Sequence, residues 1–599
     1  MVLVPYLCQS GRSTTLNRIK VDWGSNMGYS VVLEDVKYSY TGGARPALKN
    51  INLKIAKGER VMVTGPSGAG KTTLCRCLNG LIPHYFRGKL EGNVAVDGVD
   101  TRSTTISALS HSVGLLFQDP SSQLVCPTVI DEVAFGPENY GVPPAEIRTR
   151  AEECLKSVRL RGYEERNPHS LSGGEQQACA LAAIMAMRPE IYVLDEPTSN
   201  LDPIGSSQIL NLLAGISKEG KATMIIVEHK MEELLPVVDR LIVMNEGEIA
   251  LEGSPRDLLK NVDAMQKMGL KPPQVALLAA RLKERDPSIA PPMTLEEAVE
   301  TFSKLLKHSK SALERKPSWD VGRGEKIIEV RDLWHIYPNG TTALKGVDLD
   351  IYAGEFVAVI GQNGSGKTTL VKHFNNLLKA TKGSVTVFGI NAANASISEL
   401  SKKVGYCFQN PDHQICCENV KKELEFGPTN LGVPVEEIQQ RVSEVAKAVG
   451  LESVLSENPF SLSKGERQRV AVASLLTMKP EVLVVDEPTT GQDYRMSREM
   501  MDFYRKLNVE EKKTIVVITH DMNIAAEYAH RVVVLRDGRI LVDGPTKEIF
   551  SKTDLLETTY LNPPQITRLG QMLAKYGVPG DVLTVDEMYE VMSELLQGD

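Results

Sequence analysis

The sequence predicts an α/β protein of two similar domains in tandem, each with a mainly parallel core sheet. The first observation behind this prediction is the pattern G-x-x-x-x-G-K-[ST], which occurs at residues 65–72 and again at 361–368. Each occurrence follows a short apolar run and precedes a segment with helical character, the order expected at the start of a parallel strand–helix unit. The second observation is a constant offset further along the chain, where Glu196 and Glu487 are 291 residues apart.

Length and composition agree with a globular protein of more than one domain. Of the 599 residues, 42% are hydrophobic and 24% are charged, and each repeat of roughly 230 residues is long enough for its own core. No run of about 18 apolar residues occurs, so we expect the chain not to cross a membrane. The net charge of −8 gives no basic footprint for nucleic acid. The nine cysteines have no zinc or iron–sulfur spacing and are expected to be reduced thiols.

The repeat divides the chain into six parts. Both halves carry Pro-Pro-Gln, at Pro272 and at Pro563, followed by a threonine and acidic residues that predict an N-capped helix. We therefore expect a helical tail behind each domain, and a flexible linker where Lys, Arg, Pro and Gly residues crowd together. The first 27 residues carry no signal-peptide pattern and are interpreted as a disordered leader or as a start site placed too far upstream. The expected parts are a leader at 1–27, domain 1 at 28–262, its tail at 263–306, a linker at 307–325, domain 2 at 326–555 and its tail at 556–599.

The two glycine-rich loops predict phosphate binding. In such a loop the backbone N–H groups surround phosphate oxygens, the lysine reaches the β- and γ-phosphates, and the following threonine reaches Mg²⁺. The apolar runs at 60–64 and 356–360 predict strands, so each loop would open a helix whose N-terminus adds partial positive charge. The alternative is a glycine-rich turn with a solvated lysine. The loop residues are Gly65, Pro66, Ser67, Gly68, Ala69, Gly70, Lys71 and Thr72 in the first copy, and Gly361, Gln362, Asn363, Gly364, Ser365, Gly366, Lys367 and Thr368 in the second.

Two acidic residues end each of two further apolar runs, at 191–196 and 482–487, which are typical of buried parallel strands. A carboxylate beside a phosphate loop can hold Mg²⁺, and the next one can polarise an attacking water. From the residues alone, a buried acid pair without a catalytic role stays open. His229 and His520 also end apolar runs, where a lone histidine is more often structural than catalytic.

These motifs and their order resemble the nucleotide-binding domains of ABC ATPases over almost the whole chain. The signature that separates this family from other phosphate-loop proteins is present as Leu-Ser-Gly-Gly-Glu-Gln at 171–176 and as Leu-Ser-Lys-Gly-Glu-Arg at 462–467. A Ser-Gly run by itself would equally fit a helix cap. The resemblance implies two tandem P-loop NTPase domains, each with a mainly parallel core sheet, a small antiparallel subdomain, a helical signature subdomain and a short helical tail.

The resemblance implies a role for each motif, with ATP as the nucleotide and Mg²⁺ as the metal. It makes Glu196 and Glu487 the catalytic bases, while His229 and His520 hold the attacking water in line. Besides the two loops, the implied ATP-binding residues are Tyr40, Thr73, Gln118, Ser172 and Gly174 in the first copy, and Tyr337, Thr369, Gln409, Ser463 and Gly465 in the second. The implied metal residues are Thr72, Gln118, Asp195, Thr368, Gln409 and Asp486. As lone aromatics, Tyr40 and Tyr337 would equally be core residues.

In the family, two domains hold ATP head to tail, so that each site joins the loops of one domain to the signature of the other. The expected pairings are Lys71 with Ser463 and Gly465, and Lys367 with Ser172 and Gly174. The second copy departs from the family pattern at Lys464 and in its D-loop, 490–493, whereas the first D-loop, 199–202, does not. We expect two hydrolysing sites, and these departures leave open whether their rates are equal.

Within the ABC family, the chain looks like the ATPase pair of energy-coupling-factor importers fused into one polypeptide. The segments that carry this similarity are 118–123 with 135–139, and 409–414 with 426–430. The resemblance implies a transmembrane coupling subunit and a small substrate-binding membrane subunit as partners, uptake of a vitamin or transition-metal ion, and a peripheral position on the cytoplasmic side of the cell membrane. The alternative is a soluble twin-ABC ATPase acting on ribosomes or DNA, but the charged arm, cysteine cluster, zinc finger or lost histidine expected there are not visible in the sequence.

Overall fold

The structure is a computed structural model that describes most of the chain. The described residues are 28–43, 45–198, 201, 203–218, 222–306, 324–489, 492–559 and 561–597. The expected leader and residues 307–323 of the expected linker lie outside them. The domain boundaries given above stay a prediction.

The first copy contains ten strands and twelve α-helices among the described residues. The strands are β1 (Tyr29–Tyr40), β2 (Leu48–Ala56), β3 (Arg60–Thr64), β4 (Gly88–Val96), β5 (Val99–Asp100), β6 (Val113–Leu116), β7 (Ile191–Asp195), β8 (Thr223–Val227), β9 (Arg240–Asn245) and β10 (Glu248–Gly253). The helices are α1 (Lys71–Leu78), α2 (Leu81–His84), α3 (Ile106–Ser110), α4 (Val129–Asn139), α5 (Pro144–Ser157), α6 (Gly173–Met187), α7 (Pro203–Lys218), α8 (Met231–Leu234), α9 (Pro255–Leu258), α10 (Val262–Lys267), α11 (Gln274–Leu282) and α12 (Leu295–Leu306).

The second copy repeats this order within the described residues. Its strands are β11 (Lys326–Ile336), β12 (Thr342–Tyr352), β13 (Phe356–Gly361), β14 (Lys382–Val387), β15 (Ile390–Asn391), β16 (Val404–Cys407), β17 (Val482–Asp486), β18 (Thr514–Ile518), β19 (Arg531–Arg536) and β20 (Arg539–Pro545). Its helices are α13 (Lys367–Val371), α14 (Ile397–Ser401), α15 (Val420–Asn430), α16 (Val435–Ala448), α17 (Lys464–Leu476), α18 (Tyr494–Glu511), α19 (Met522–Tyr528), α20 (Thr546–Ser551), α21 (Thr553–Thr558), α22 (Gln565–Met572) and α23 (Val585–Gln597).

The two copies have the same sheet topology, which confirms the predicted fold class. A four-stranded antiparallel sheet, in the order β2-β1-β4-β5 or β12-β11-β14-β15, forms the small subdomain. A six-stranded sheet, in the order β10-β9-β3-β8-β7-β6 or β20-β19-β13-β18-β17-β16, is parallel except at the edge strand β10 or β20. The five extra residues of the first copy fall around α2, and no helix occupies that place in the described part of the second copy.

The parallel sheet brings the motif residues to one edge. Strands β3, β8 and β7 are neighbours, and so are β13, β18 and β17. These strands consist almost entirely of buried apolar residues, because helices cover one face of the sheet, and the antiparallel sheet and the phosphate-loop helix cover the other. In an open α/β sheet, ligands bind beyond the carboxyl ends of such strands. The phosphate loop, the acid pair and the histidine of each copy all lie at or just beyond these ends.

The two helical tails pack against each other. Residues of α11 and α12 from the first tail and of α22 and α23 from the second form one apolar cluster, in which Phe302 and Met588 are fully buried. Thr294 and Thr584 accept hydrogen bonds from the N–H groups three residues ahead, as the predicted N-caps require. Among the described residues, no helix combines the length and apolar character needed to cross a bilayer.

Candidate functional site

Each phosphate loop turns directly from a strand end into a helix. The residue before the helix is Gly70 in one copy and Gly366 in the other, with φ of 97° and 101°, a left-handed conformation that favours glycine. A Cβ at Gly70 would lie 2.5 Å from the carbonyl oxygen of Ala47, so the close approach of the backbone also requires glycine. Because no side chain caps either helix, the N–H groups of its first turn are available to an anion.

The two loop lysines lie over their own loops. Lys71 Nζ donates to the carbonyl oxygens of Gly65 at 2.7 Å and Pro66 at 2.9 Å. Lys367 Nζ makes the equivalent bonds to Gly361 and Gln362, both at 2.8 Å. Burial lowers the pKa of Lys71, although the nearby carboxylates oppose this effect. Both ammonium groups therefore lie where a phosphate held by the loop N–H groups would meet them.

The first acid of each pair, Asp195 or Asp486, ends a buried strand beside the loop. Thr368 Oγ1 donates to Asp486 Oδ2 at 2.9 Å, and the hydroxyl of Tyr406 donates to the same oxygen at 2.8 Å. The other oxygen, Oδ1, of both aspartates is buried without a hydrogen-bond partner among the described residues. Burial raises the pKa of Asp195 to about 6, and it also raises the pKa of Asp486.

An unpartnered buried carboxylate oxygen is costly, and a divalent cation would satisfy it. Aspartate and threonine oxygens are ligands that Mg²⁺ prefers, so these residues fit the metal that the sequence implies. Gln118 and Gln409 are exposed just beyond β6 and β16, and the side chain of Gln118 is hydrogen-bonded to Glu196. Their contact with a metal stays a prediction.

The second acid of each pair has an unusual backbone and a histidine partner. Glu196 and Glu487 have φ of 52° and 50°, a region that costs a residue with a Cβ about 1–2 kcal/mol. His520 Nδ1 lies 2.7 Å from Glu487 Oε2, whereas His229 Nε2 lies 3.4 Å from Glu196 Oε1. The structure thus brings together the acid and the histidine that sequence analysis paired, with a closer contact in the second copy.

Within each pair, one partner shifts the pKa of the other. Burial acts to raise the pKa of Glu196, but the hydrogen bond and charge of His229 and the charge of Lys71 outweigh it, so the pKa is lowered. Burial acts to lower the pKa of His520, but the charge of Glu487 and its hydrogen bond outweigh it, so the pKa is raised. In the first copy the glutamate is therefore held as a carboxylate, the form that can accept a proton.

The two tyrosines lie beside the phosphate-loop helices. The hydroxyl of Tyr40 is 3.2 Å from Thr73 Oγ1, and that of Tyr337 is 3.0 Å from Thr369 Oγ1. Arg76 also donates to the hydroxyl of Tyr40, at 3.1 Å. The rings are therefore fixed next to the nucleotide loop, and their contact with adenine stays a prediction.

The signature serines begin helices α6 and α17. Ser172 and Ser463 are exposed N-caps, and each forms a capping box in which the side chain of Glu175 or Glu466 bonds back to the serine. Gly465 is tightly packed, since a Cβ there would overlap the side chain of Met496. The helix cap that sequence analysis offered as an alternative is thus present, and binding of the opposite nucleotide by these serines and by Gly174 stays a prediction.

One contact joins the domains directly at a phosphate loop. The N–H of Ser67 in the first loop donates to Asp493 Oδ2 of the second domain at 2.9 Å, while Asp493 Oδ1 caps α18. Asp493 belongs to the second D-loop, whose residues 490 and 491 lie outside the described residues, as do 199, 200 and 202 of the first. The loop of one domain therefore meets the D-loop of the other, as a head-to-tail arrangement requires.

Three features of the site were not predicted from the sequence. Tyr406 bonds to the metal-site aspartate, Asp493 reaches the opposite loop, and a cleft of about 620 Å³ lies between the domains. This cleft is lined by both histidines and by residues of both tails, including Lys271. No local pattern signals such contacts, because Tyr406 and Asp486 are 80 residues apart, and Ser67 and Asp493 are 426 residues apart.

Comparisons with known proteins give a consistent result. A family model described as ABC transporter matches residues 48–199 and 344–490. A protein of Caldanaerobacter subterraneus subsp. tengcongensis, provisionally named ABC transporter ATP-binding protein TTE1589, is 44% identical over 564 residues, which cover 93% of this chain and 98% of the relative. A Methanosarcina mazei protein with the same provisional description is 40% identical over 571 residues, covering 93% and 96%.

One solved structure is also similar to part of this chain. It is cbiO1 from Clostridium perfringens, described as part of the ABC transporter complex cbiONQ. It is 34% identical and covers 41% of this chain and 99% of its own, with a TM-score of 0.37.

Proposed function

Since this chain belongs to the ABC transporter family and carries the family's ATP-binding domain twice, we propose that it is the ATP-hydrolysing subunit of a membrane importer. The two domains are ABC ATPase domains, and the membrane-spanning parts would be separate proteins. In this proposal two molecules of MgATP bind between the domains, and their hydrolysis drives substrate transport.

Each ATP site would combine residues of both domains. The site on Lys71 would use Ser463 and Gly465, and the site on Lys367 would use Ser172 and Gly174. The contact between Ser67 and Asp493 supports this arrangement, because it already joins the first phosphate loop to the D-loop that follows the second signature.

The chemical step would rely on a few side chains of each copy. The loop lysine binds the β- and γ-phosphates, and Glu196 or Glu487 takes the proton of the attacking water while His229 or His520 keeps it in line. Asp195 with Thr72, and Asp486 with Thr368, would hold Mg²⁺, which would supply positive charge against the phosphates. Closure of the two domains on ATP, and their opening after hydrolysis, would move the segments that follow Gln118 and Gln409.

Exposed aromatic residues beside these segments are the observation that carries the transporter proposal. Phe135 on α4 is 41% exposed, and Phe426 at the same position of α15 is 51% exposed. Aromatic residues are enriched in contacts between proteins, and here one is exposed at the same helix position in both copies. Since both copies present one, we expect two equivalent docking surfaces for helices of a membrane partner.

The import of a vitamin or transition-metal ion is the more specific part of the proposal. It rests on the similarity of 118–123, 135–139 and their counterparts to energy-coupling-factor ATPases. In that arrangement the partners are a transmembrane coupling subunit and a small substrate-binding membrane subunit, and the ATPase lies on the cytoplasmic side of the cell membrane.

Affinity purification from detergent-solubilised native membranes, followed by mass spectrometry, tests the proposal. We expect a multi-span protein and a small hydrophobic protein to copurify with the tagged chain. The double variant Phe135→Ala/Phe426→Ala should lose them and keep ATPase activity, whereas Val509→Ala, at an exposed valine of α18, should keep both. Recovery of ribosomes or DNA-repair factors instead would move the ATPase to the soluble twin-ABC class.

A further inference from the structure

Lys271, in the tail of the first domain, reaches into the second domain. Its Nζ lies 3.4 Å from Asp521 Oδ2 and 5.9 Å from the ring centroid of Tyr494. Tyr494 is the first residue of α18, directly after the D-loop, and Asp521 directly follows His520. A single cation of the first domain thus lies between two segments of the second, with an ion pair to the one that follows His520 and a cation–π contact to the one that follows the D-loop.

Asp521 connects this cation to the histidine loop. Its Oδ1 accepts the N–H of Asn523 at 2.8 Å and so caps α19, while Oδ2 faces Lys271. Its own N–H donates to Thr519 Oγ1 at 3.0 Å. The aspartate therefore fixes the backbone on both sides of His520, and Lys271 fixes the aspartate.

The first copy lacks this arrangement. At the offset of 291 residues, Asp521 corresponds to Lys230 and Lys271 corresponds to Asn562. Lys230 provides no side-chain cap for α8, and its Nζ lies 3.4 Å from Ser206 Oγ. Asn562 is exposed, and no hydrogen bond joins it to Lys230 among the described residues. Both members of the pair thus differ between the copies, and one substitution alone would not create the pair in the first.

The distance between the catalytic histidine and glutamate also differs between the copies. Where the cross-domain pair is present, the histidine and glutamate are 2.7 Å apart, and where it is absent they are 3.4 Å apart. The helix after the histidine also has seven residues in the second copy, where Asp521 caps it, against four in the uncapped helix of the first.

We infer that Lys271 is a positioning residue for Glu487 and His520, so that fast hydrolysis at the ATP site on Lys367 depends on docking of the first domain's tail, whereas His229 and Glu196 of the site on Lys71 have no equivalent ion pair. This inference rests on the catalytic roles proposed for Glu487 and His520. It makes the two sites unequal through contacts outside the family motifs.

First-turnover phosphate release by the full-length chain, followed in a rapid-quench experiment with saturating MgATP, tests this inference. In Lys271→Asn, which carries the residue found at 562, one phosphate per chain should be released about 10- to 100-fold more slowly, the effect expected when a catalytic group is slightly misplaced. The other phosphate should keep its rate, and KM should be unchanged. Lys271→Arg keeps the charge, so both phosphates should be released at the wild-type rates. Asn562→Ala should likewise leave both rates unchanged.

The slow phase is assigned with single-base variants. Combined with Lys271→Asn, Glu487→Gln should remove the slow phase and Glu196→Gln the fast one. If Lys271→Asn slows the release of both phosphates equally, or of neither, the inference is overturned, since a tail that only joins the domains affects both sites alike. Full phosphate release by Glu196→Gln/Glu487→Gln without any change at Lys271 would instead reject the proposed bases. Melting temperature and equilibrium nucleotide binding of Lys271→Asn identify any loss of folding.

Discussion

Replacing Asp195 by Asn is expected to stabilise the metal-free first domain while abolishing its Mg²⁺-dependent turnover. Asp195 is 3% exposed, and burial raises its pKa from 3.8 to about 6. The folded state thus holds the proton more tightly than the unfolded state, so this group favours folding most below pH 4, and its contribution is lost as the pH rises through about 6. This rise in the pKa lowers the free energy of unfolding by about 3 kcal/mol at pH 8, and by about half of that at pH 5, relative to a group whose pKa is unchanged by folding. Asparagine has the shape of the neutral acid and avoids the cost of burying a charged carboxylate.

Hydrogen exchange followed by mass spectrometry can measure this effect in each domain separately. Without Mg²⁺ and nucleotide, amides of β7 and β8 in Asp195→Asn should exchange about 100-fold more slowly than in the wild type at pH 8, and about 10-fold more slowly at pH 5. Strands β17 and β18 of the same sample are the internal control, and Glu165→Gln controls for the loss of one charge at an exposed position. An equal ratio at both pH values, or no slowing, would refute the argument that a buried charge is the cause.

Three further predictions concern the catalytic bases, the domain contact and the tails. Replacing Glu196 and Glu487 together by Gln should leave equilibrium ATP binding intact but lower steady-state phosphate release about 10²- to 10⁴-fold, because an amide cannot take the proton of water; unchanged release would reject both assignments. Asp493→Ala removes the acceptor of the Ser67 N–H and should raise the KM for ATP about tenfold, whereas Asp493→Asn keeps an acceptor oxygen and should not; equal KM values would make the contact irrelevant to binding. Phe302→Ala leaves a cavity between the tails and should cost about 3–5 kcal/mol, seen as a lower melting temperature; an unchanged value would mean that the tails do not contribute to stability.

The fold could be predicted because its signals are local. An apolar run before a glycine-rich loop specifies strand, turn and helix within about 20 residues, and the duplication supplies each signal twice. The acid pair and the histidine were found for the same reason, since each ends a short buried strand. The structure adds the left-handed backbone of Glu196 and Glu487, which no sequence pattern announced.

The contacts that set the copies apart could not be predicted in this way. Tyr406 looks like an ordinary residue of a buried strand, and only the pairing of β16 with β17 brings its hydroxyl to Asp486. Lys271 lies in a segment that sequence analysis treated as part of a tail, and its partner Asp521 is 250 residues away. Long-range electrostatic contacts depend on how whole domains pack, which residue types and spacing do not encode locally.

The tails hold the domains together through a reciprocal exchange of hydrogen bonds. Gln274 Oε1 accepts the N–H of Ile566 at 3.0 Å, and Gln565 Oε1 accepts the N–H of Val275 at 3.1 Å, so each glutamine caps the first turn of the opposite tail helix. Such a contact is isologous, and it does not require that its halves belong to one polypeptide. Fusion raises the effective concentration of one half near the other without adding a contact. Halves expressed as separate chains should therefore reassemble through their tails, and two fused chains at high concentration could exchange halves to form a swapped dimer.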